Sequence, residues 1–179
     1  RSTIDSSDYK FNHDVFLGLD MAASTYYHQK QYFFNSGLGL PADDYFEEVV
    51  KIIKNYSLEL VEDPFAEDDW SSWAKITEKL GSSVKFVADD LLVTNKKRLE
   101  KAVSEKAANA VIIKMNQIGT VTETLEVVKS ARQASFTTIV SHRSGETNDD
   151  FISDLAVGVG SDYVKFGAPA RGERVAKYN

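Results

Sequence analysis

Six short apolar runs, each closed by an ionisable residue and separated by stretches of helical periodicity, constrain the fold of this chain more than any other feature. The runs are Val15–Leu19, Leu58–Val61, Val84–Ala88, Ala110–Ile113, Thr137–Val140 and Tyr163–Lys165. Between them the spacing of apolar residues predicts helices over about 43–55, 69–80, 96–107, 121–134 and 148–157. A strand followed by a helix, repeated, implies a parallel sheet with helical crossovers. Two α/β architectures compete, an open doubly wound sheet and a closed TIM-type (β/α)8 barrel.

The strand ends decide between them. They carry Asp20, Glu62, Asp89, Lys114, the group His142, Arg143 and Ser144, and Lys165. An open sheet gathers function at one switch point between a few strands, whereas a barrel brings every strand end to one mouth. The intervals Asp89 to Lys114 (25), Lys114 to His142 (28) and His142 to Lys165 (23) fit regular βα units. The expected fold is therefore a (β/α)8 barrel. A complete one takes about 250 residues. With 179 residues and six units, the chain is expected to be a partial barrel domain over residues 1–179, its edge strands near Leu17 and Val164 unpaired and prone to association.

Local chemistry supports these elements. Thr120 and Glu123 form a capping-box pattern at a helix start. Gly81 stands where a left-handed helix terminus is expected. Leu99, Ala102, Val103 and Ala107 share one apolar helical face, while Lys96, Lys97, Glu100 and Glu105 read as solvated. The three prolines and ten glycines form no linker that would divide the chain. A net charge of −6 argues against a nucleic-acid surface, and no run has the length of a membrane span. Arg1-Ser2-Thr3 opens no signal peptide. The absence of cysteine excludes disulfides and thiolate metal sites, and it suits a cytosolic protein.

Asp20, Glu62 and Asp89 are carboxylates on successive strand ends, the hard oxygen donors that suit Mg²⁺. Each alone could be a helix cap; their convergence with Lys114, Arg143 and Lys165 at one mouth favours a metal site. Lys114, held at the end of an apolar strand, reads as a base, with nearby cations expected to disfavour its charged form. Lys165 reads either as a second functional lysine or as a structural partner of a strand-end carboxylate. Ser141, His142, Arg143 and Ser144, followed by Gly145 and Glu146, gather donors suited to a phosphate. A hydrolytic Ser–His pair is disfavoured there, because neighbouring side chains on an extended segment diverge. His13 and His28 read as surface residues. Met115, Tyr26, Tyr27, Tyr32, Phe33, Phe34, Trp70 and Trp73 read as packing, and no glycine-rich phosphate loop is present.

The segments Val61–Trp70, Val87–Leu91, Ile113–Gly119, Ser141–Thr147 and Lys165–Arg171, in this order, resemble the enolase family. The resemblance covers roughly residues 9–179. It implies two Mg²⁺ per site, with ligands at Asp20, Glu62 and Asp89, a proton-abstracting Lys114 and a second active-site lysine at Lys165. Substrate binding falls to Ser141–Ser144 together with Glu62, Asp89 and Lys165. A lysine base working with Mg²⁺ is that superfamily's known pattern rather than something read from these residues. The implied activity is dehydration of 2-phosphoglycerate to phosphoenolpyruvate in glycolysis, in a cytoplasmic homodimer, with secondary surface display in some members.

The resemblance also places the family's general-acid glutamate, amino-terminal capping domain, first barrel strands and last helices outside this sequence, so the chain alone is expected to be inactive. Met21–Thr25 and Phe166 depart from the family's usual residues. Thr25–Asn35 is mostly aromatic and neutral where surface-displayed members carry a charged plasminogen-binding segment, which speaks against that side role. Two other readings are a superfamily racemase or cycloisomerase, disfavoured by the Ser141–Ser144 loop, and a non-catalytic surface or antigenic fragment.

Overall fold

The structure is a computed structural model describing residues 2–34 and 37–179. Arg1 and Asn35, both named above, lie outside the described residues. Six strands, β1 (Leu17–Asp20), β4 (Leu58–Glu62), β5 (Lys85–Ala88), β6 (Ala110–Ile113), β7 (Thr137–Ser141) and β8 (Tyr163–Lys165), form one sheet in the order β1-β4-β5-β6-β7-β8. Every pair in it is parallel. The helices α2 (Ala42–Tyr56), α3 (Trp70–Leu80), α4 (Lys96–Glu105), α6 (Val121–Gln133) and α7 (Phe151–Gly158) are the crossovers. The expected alternation is borne out, with boundaries moved by a few residues. The largest move is at α7, which starts at Phe151 because the Asp149 carboxylate accepts the Phe151 N–H at 3.1 Å and holds the preceding segment in a turn.

The sheet is curled. Six strands laid flat would separate the outer two by about 24 Å. Yet Lys165 on β8 donates through Nζ to Asp20 Oδ2 on β1 at 2.9 Å, so the edge strands lean toward each other at their carboxyl ends. Strand alternation then sorts the side chains. Phe86, Ala88, Val111, Ile113 and Val140 join the large core under the helices. Val87, Ala110, Ile112 and Ile139, with Leu60, form a separate cluster on the other, concave face. Along that face runs a cavity of about 310 Å³ lined by Gly18, Leu60, Ile112, Ile139 and Tyr163 and ending at Asp20, Glu62 and Lys165. The architecture is an incomplete α/β barrel. Among the described residues no helix is long and apolar enough to cross a membrane.

A hairpin of β2 (Tyr27–His28) and β3 (Gln31–Tyr32) follows a 3-10 turn at Ala23–Tyr26. Tyr26, Tyr27, Tyr32 and Phe34 pack as expected, whereas Phe33 is exposed, because its ring lies near His28 at the surface and not against the core. Tyr32 is fully buried, stacks on Tyr45 with centroids 4.0 Å apart, and donates its hydroxyl to Asp69 Oδ2 at 2.7 Å. Trp73 is likewise buried, its indole N–H on the Ala66 carbonyl. Among the described residues three single-turn helices remain: α1 (Ser2–Asp5), α5 (Met115–Ile118) and α8 (Gly172–Val175). Half of the expected capping box forms: Thr120 Oγ1 accepts the Glu123 N–H at 3.2 Å, but the Glu123 carboxylate takes the Thr120 hydroxyl at 2.6 Å instead of a backbone N–H.

Two local expectations are corrected. Val103 is 40% exposed, unlike Leu99, Ala102 and Ala107. At 100° per residue it lies past the rim of the narrow stripe that α4 buries. Gly81 is right-handed, with φ −65°, so its lack of a side chain serves close approach instead. A Cβ there would run into the Thr77 carbonyl oxygen and sit 3.3 Å from Asn109 Nδ2. That amide cannot yield easily, because it bridges the Gly81 and Val84 carbonyls while its oxygen accepts the Phe86 N–H. Gly81→Ala is therefore expected to lower stability by about 1–3 kcal/mol through overpacking, measured by denaturant unfolding. An unchanged midpoint would show that the contact relaxes at no cost.

Candidate active site

The site residues continue the inward register of the strands. Two positions beyond Gly18, Leu60, Val87, Ile112, Ile139 and Tyr163 stand Asp20, Glu62, Asp89, Lys114, Ser141 and Lys165. With a side-chain period of two, each faces the mouth of the concave side that its predecessor lines. Asp20 pairs in register with Glu62, and Ser141 with Lys165. Every residue expected at the mouth is thus carried by a strand end or the loop directly after it.

Two lysines meet the three carboxylates. Lys165 Nζ donates to Asp20 Oδ2 at 2.9 Å and to both Glu62 oxygens at 2.8 Å. Lys114 Nζ donates to Asp89 Oδ2; the neighbour it meets is this anion rather than the expected cations. Glu62 and Asp89 are buried. Burial pushes the Glu62 carboxyl up to about 7; the bond from Lys165 pulls it down, and the charges of Asp20 and Asp89 push it up again. Burial alone would lower the Lys165 ammonium, but its bonds to Glu62 and Asp20 outweigh that and raise it. The pocket therefore holds more negative charge than its two lysines comfortably offset.

Asp63 was not anticipated. Its backbone is left-handed, φ 42°, which interrupts strand alternation and lets two successive carboxylates, Glu62 and Asp63, both be buried. Asp63 accepts the backbone N–H groups of Asp89 and Asp90 at 3.0 Å each. Burial raises its carboxyl to about 8 against the pull of those two bonds. Glu62, Asp63 and Asp89 each present an oxygen within 4.8 Å of the others. Since both Asp63 oxygens are engaged with backbone, its evident work is to hold the end of β5 in place. The Asp90 carboxyl is raised, first by burial and then by the charge of Asp89.

A closed ring of hydrogen bonds surrounds Lys114. Its backbone N–H donates to Thr94 Oγ1 at 2.9 Å, and Thr94 donates to Gln117 Oε1 at 2.6 Å. Gln117 Nε2 then reaches Asp89 Oδ1 at 3.2 Å, and Asp89 takes the Lys114 ammonium. Thr94 and its neighbour Val93 are β-branched residues held at φ 51° and 43°, an arrangement that is costly and persists only when surroundings impose it. Thr94 carried no sequence signal, and Gln117 stood in the Ile113–Gly119 segment without a role of its own, because their roles exist only once the strand ends are side by side.

The loop after β7 takes the other rim. His142 bonds the Lys165 carbonyl through its backbone N–H at 2.9 Å and through Nδ1 at 2.6 Å. A carbonyl only accepts, so Nδ1 carries the proton and Nε2 has the lone pair. Burial lowers the imidazole, favouring this neutral form. Ser141 Oγ donates to the His142 carbonyl at 3.0 Å, so no Ser–His nucleophile exists here. Arg143 and Ser144 are exposed, with Arg143 Nη1 on Asn116 Oδ1 at 3.0 Å. His13 and His28 are exposed and remote, as expected.

Three carboxylates supply only hard oxygens and remain under-compensated by two ammonium groups, so the donor set fits Mg²⁺. The fold and its mouth define an α/β barrel protein with an acid–lysine centre at the carboxyl ends of its strands. The chain belongs to the enolase C-terminal TIM barrel domain family, whose family model matches residues 1–179. It is 47% identical over 180 residues to "Enolase 1" of Methanospirillum hungatei, with 98% of this chain and 42% of that protein covered. It is 45% identical over 179 residues to "Enolase" of Natranaerobius thermophilus, with 99% of this chain and 42% of that protein covered. The chain thus spans less than half the length of these relatives.

Proposed function

We propose that this chain supplies most of the catalytic mouth of a Mg²⁺-dependent hydro-lyase that dehydrates 2-phosphoglycerate to phosphoenolpyruvate. One observation carries the reading: a lysine just beyond β6 pairs with Asp89 in a mouth where the buried Glu62 and Asp89 meet the exposed Asp20, beside a loop of Ser, His and Arg donors. Lys114 takes the proton from C2 of the substrate. Asp20, Glu62 and Asp89 hold the metal; Asp20 is preferred to Asp63 because Asp63 is committed to backbone N–H groups. Bound Mg²⁺ supplies neutralisation of the charge that develops on the substrate carboxylate. Lys165 adds positive charge from the facing strand. Ser141, His142, Arg143 and Ser144 bind the substrate, with Arg143 as the phosphate grip. The departing hydroxyl is protonated by a group outside these residues.

In this reading the barrel is completed by segments outside the sequence. The reading is supported by the two sheet edges at β1 and β8 and by the 42% span of the relatives. The test is an assay of the full-length protein with 2-phosphoglycerate. Turnover is expected with Mg²⁺, is lost with EDTA and returns when Mg²⁺ is restored, while the 179-residue chain alone has none. A full-length protein that binds Mg²⁺ but leaves 2-phosphoglycerate unchanged would overturn the reading.

A further inference from the structure

The loop from His142 to Asp150 contains no helix or strand, yet it must present Arg143 in one place if it is to grip a substrate. An exposed arginine carries large rotamer freedom, and the backbone bonds of this loop lie at its two ends, at His142 and Asp150, leaving the stretch around Arg143 without a ladder to fix it. The partners come instead from two cations at the far end of the chain. Arg174 in α8 donates through Nη1 to the Arg143 carbonyl at 2.8 Å and through Nη2 to the Ser144 carbonyl at 3.0 Å. Lys177, just beyond α8, donates through Nζ to the carbonyls of Thr147 at 2.8 Å and Asp149 at 2.7 Å. It also reaches the Glu173 carbonyl at 2.9 Å and pairs with Glu146 Oε2 at 2.6 Å.

Lys177 is the unusual member. Its side chain is 1% exposed, and a buried ammonium is costly unless fully paired. Here it is paired by three carbonyls and a carboxylate, all but one of them in the loop. Glu146 passes the constraint on: its Oε1 accepts the Arg143 N–H at 3.0 Å. Burial raises the Glu146 carboxyl, but the bond from Lys177 and that N–H outweigh it and lower it overall, which favours the carboxylate form of Glu146. Arg143 is therefore pinned at its N–H through Glu146 and Lys177, and at its carbonyl by Arg174.

We propose that Arg174 and Lys177 are positioning residues for substrate binding: they set the backbone on either side of Arg143 and so aim its guanidinium at the phosphate. The proposal rests on the function proposed above. Neither residue touches the carboxylates or Lys114, so removing either misplaces the grip and leaves the base and metal ligands in place. A displacement of about 1 Å can cost on the order of 10²-fold in a positioned contact. A contact made equally in ground and transition states appears in KM rather than kcat.

The experiment uses the full-length protein, wild type and three variants. Arg174→Met is partly exposed and removes only the carbonyl clamp. Arg174→Lys is the conservative rescue, able to reach one carbonyl but not grip both. The double variant Glu146→Gln with Lys177→Met removes both halves of the buried pair, so that neither is left as an unpaired charge. Arg174→Met and the double variant are expected to raise KM for 2-phosphoglycerate by about 10–100-fold, with kcat within a few-fold. Binding of Mg²⁺ alone, measured by calorimetry, and cooperative melting should be retained, and Arg174→Lys should recover part of the loss. An active wild type with unchanged KM in these variants would overturn the proposal. So would KM, kcat, Mg²⁺ affinity and melting temperature failing together, since that is a structural role only. A wild type with no turnover overturns the functional reading itself, and the proposal with it.

Discussion

Lys114→Ala in the full-length protein is expected to abolish exchange of the C2 proton of 2-phosphoglycerate with solvent while the substrate still binds. Lys114 is the first inward position beyond β6, and its ammonium lies against Asp89 inside a ring closed by Thr94 and Gln117. That ring leaves the amine few orientations and no competing anchor in solvent, as a base requires. Removal of a general base typically costs about 10²–10⁴-fold. A base that also borders the metal carboxylates belongs at the upper end of that range. Deuterium exchange at C2, followed by NMR in heavy water, isolates the step from product release. Normal exchange in the variant would assign proton removal to another group.

Asp89→Asn is expected to weaken Mg²⁺ binding by more than about a hundredfold, because losing a ligand should exceed the 10–100-fold typical of outer partners. Asp90→Asn should stay within a few-fold of wild type. The two residues are adjacent, and the register separates them: Val87 faces the concave interior, so Asp89 does too. The Asp90 backbone N–H that supports the site goes to Asp63 Oδ2 and is untouched by changing the Asp90 side chain. Calorimetric titration with Mg²⁺ on both variants is the measurement. Loss of binding in Asp90→Asn instead would move the ligand by one residue.

Much of this was legible in the chain itself, for a reason that the concave register makes plain. Asp20, Glu62, Asp89, Lys114, Ser141 and Lys165 each lie two residues beyond an inward one, so a strand's pattern and its polar terminus are written in the same phase. Asp20, Glu62, Asp89, Lys114 and Lys165 could be picked out because an ionisable residue closing an apolar run is conspicuous. What stayed hidden depended on contacts between distant elements or on unusual backbone. The β2–β3 hairpin turns through Gln29 and Lys30 at φ 51° and 62°, left-handed positions that ordinarily announce themselves with Asn or Gly. Asp63, next to Glu62 in the chain, would face away from it by strand alternation; only its left-handed backbone turns it inward. Thr94 and Gln117 have ordinary neighbours in sequence and acquire roles only from the folded ring. Gly81 was placed correctly as a helix terminus but for the wrong reason, since crowding by Asn109, twenty-eight residues away, leaves no trace in local pattern.

The ion pair between Lys165 and Asp20 has a consequence for the order in which the molecule assembles. It joins residues 145 positions apart, whereas neighbouring strand ends such as Asp89 and Lys114 are separated by 25. Closing the longer loop from a disordered chain costs about 1.6 kcal/mol more than closing the shorter one. The cheaper route forms each βα step from its neighbour and draws the outer strands together only after the sheet exists. The cross-brace at the mouth is then absent from the rate-limiting step of folding, and its strength acts on how slowly the native state comes apart. The charged residues at the mouth are thereby spared from steering the search for the fold.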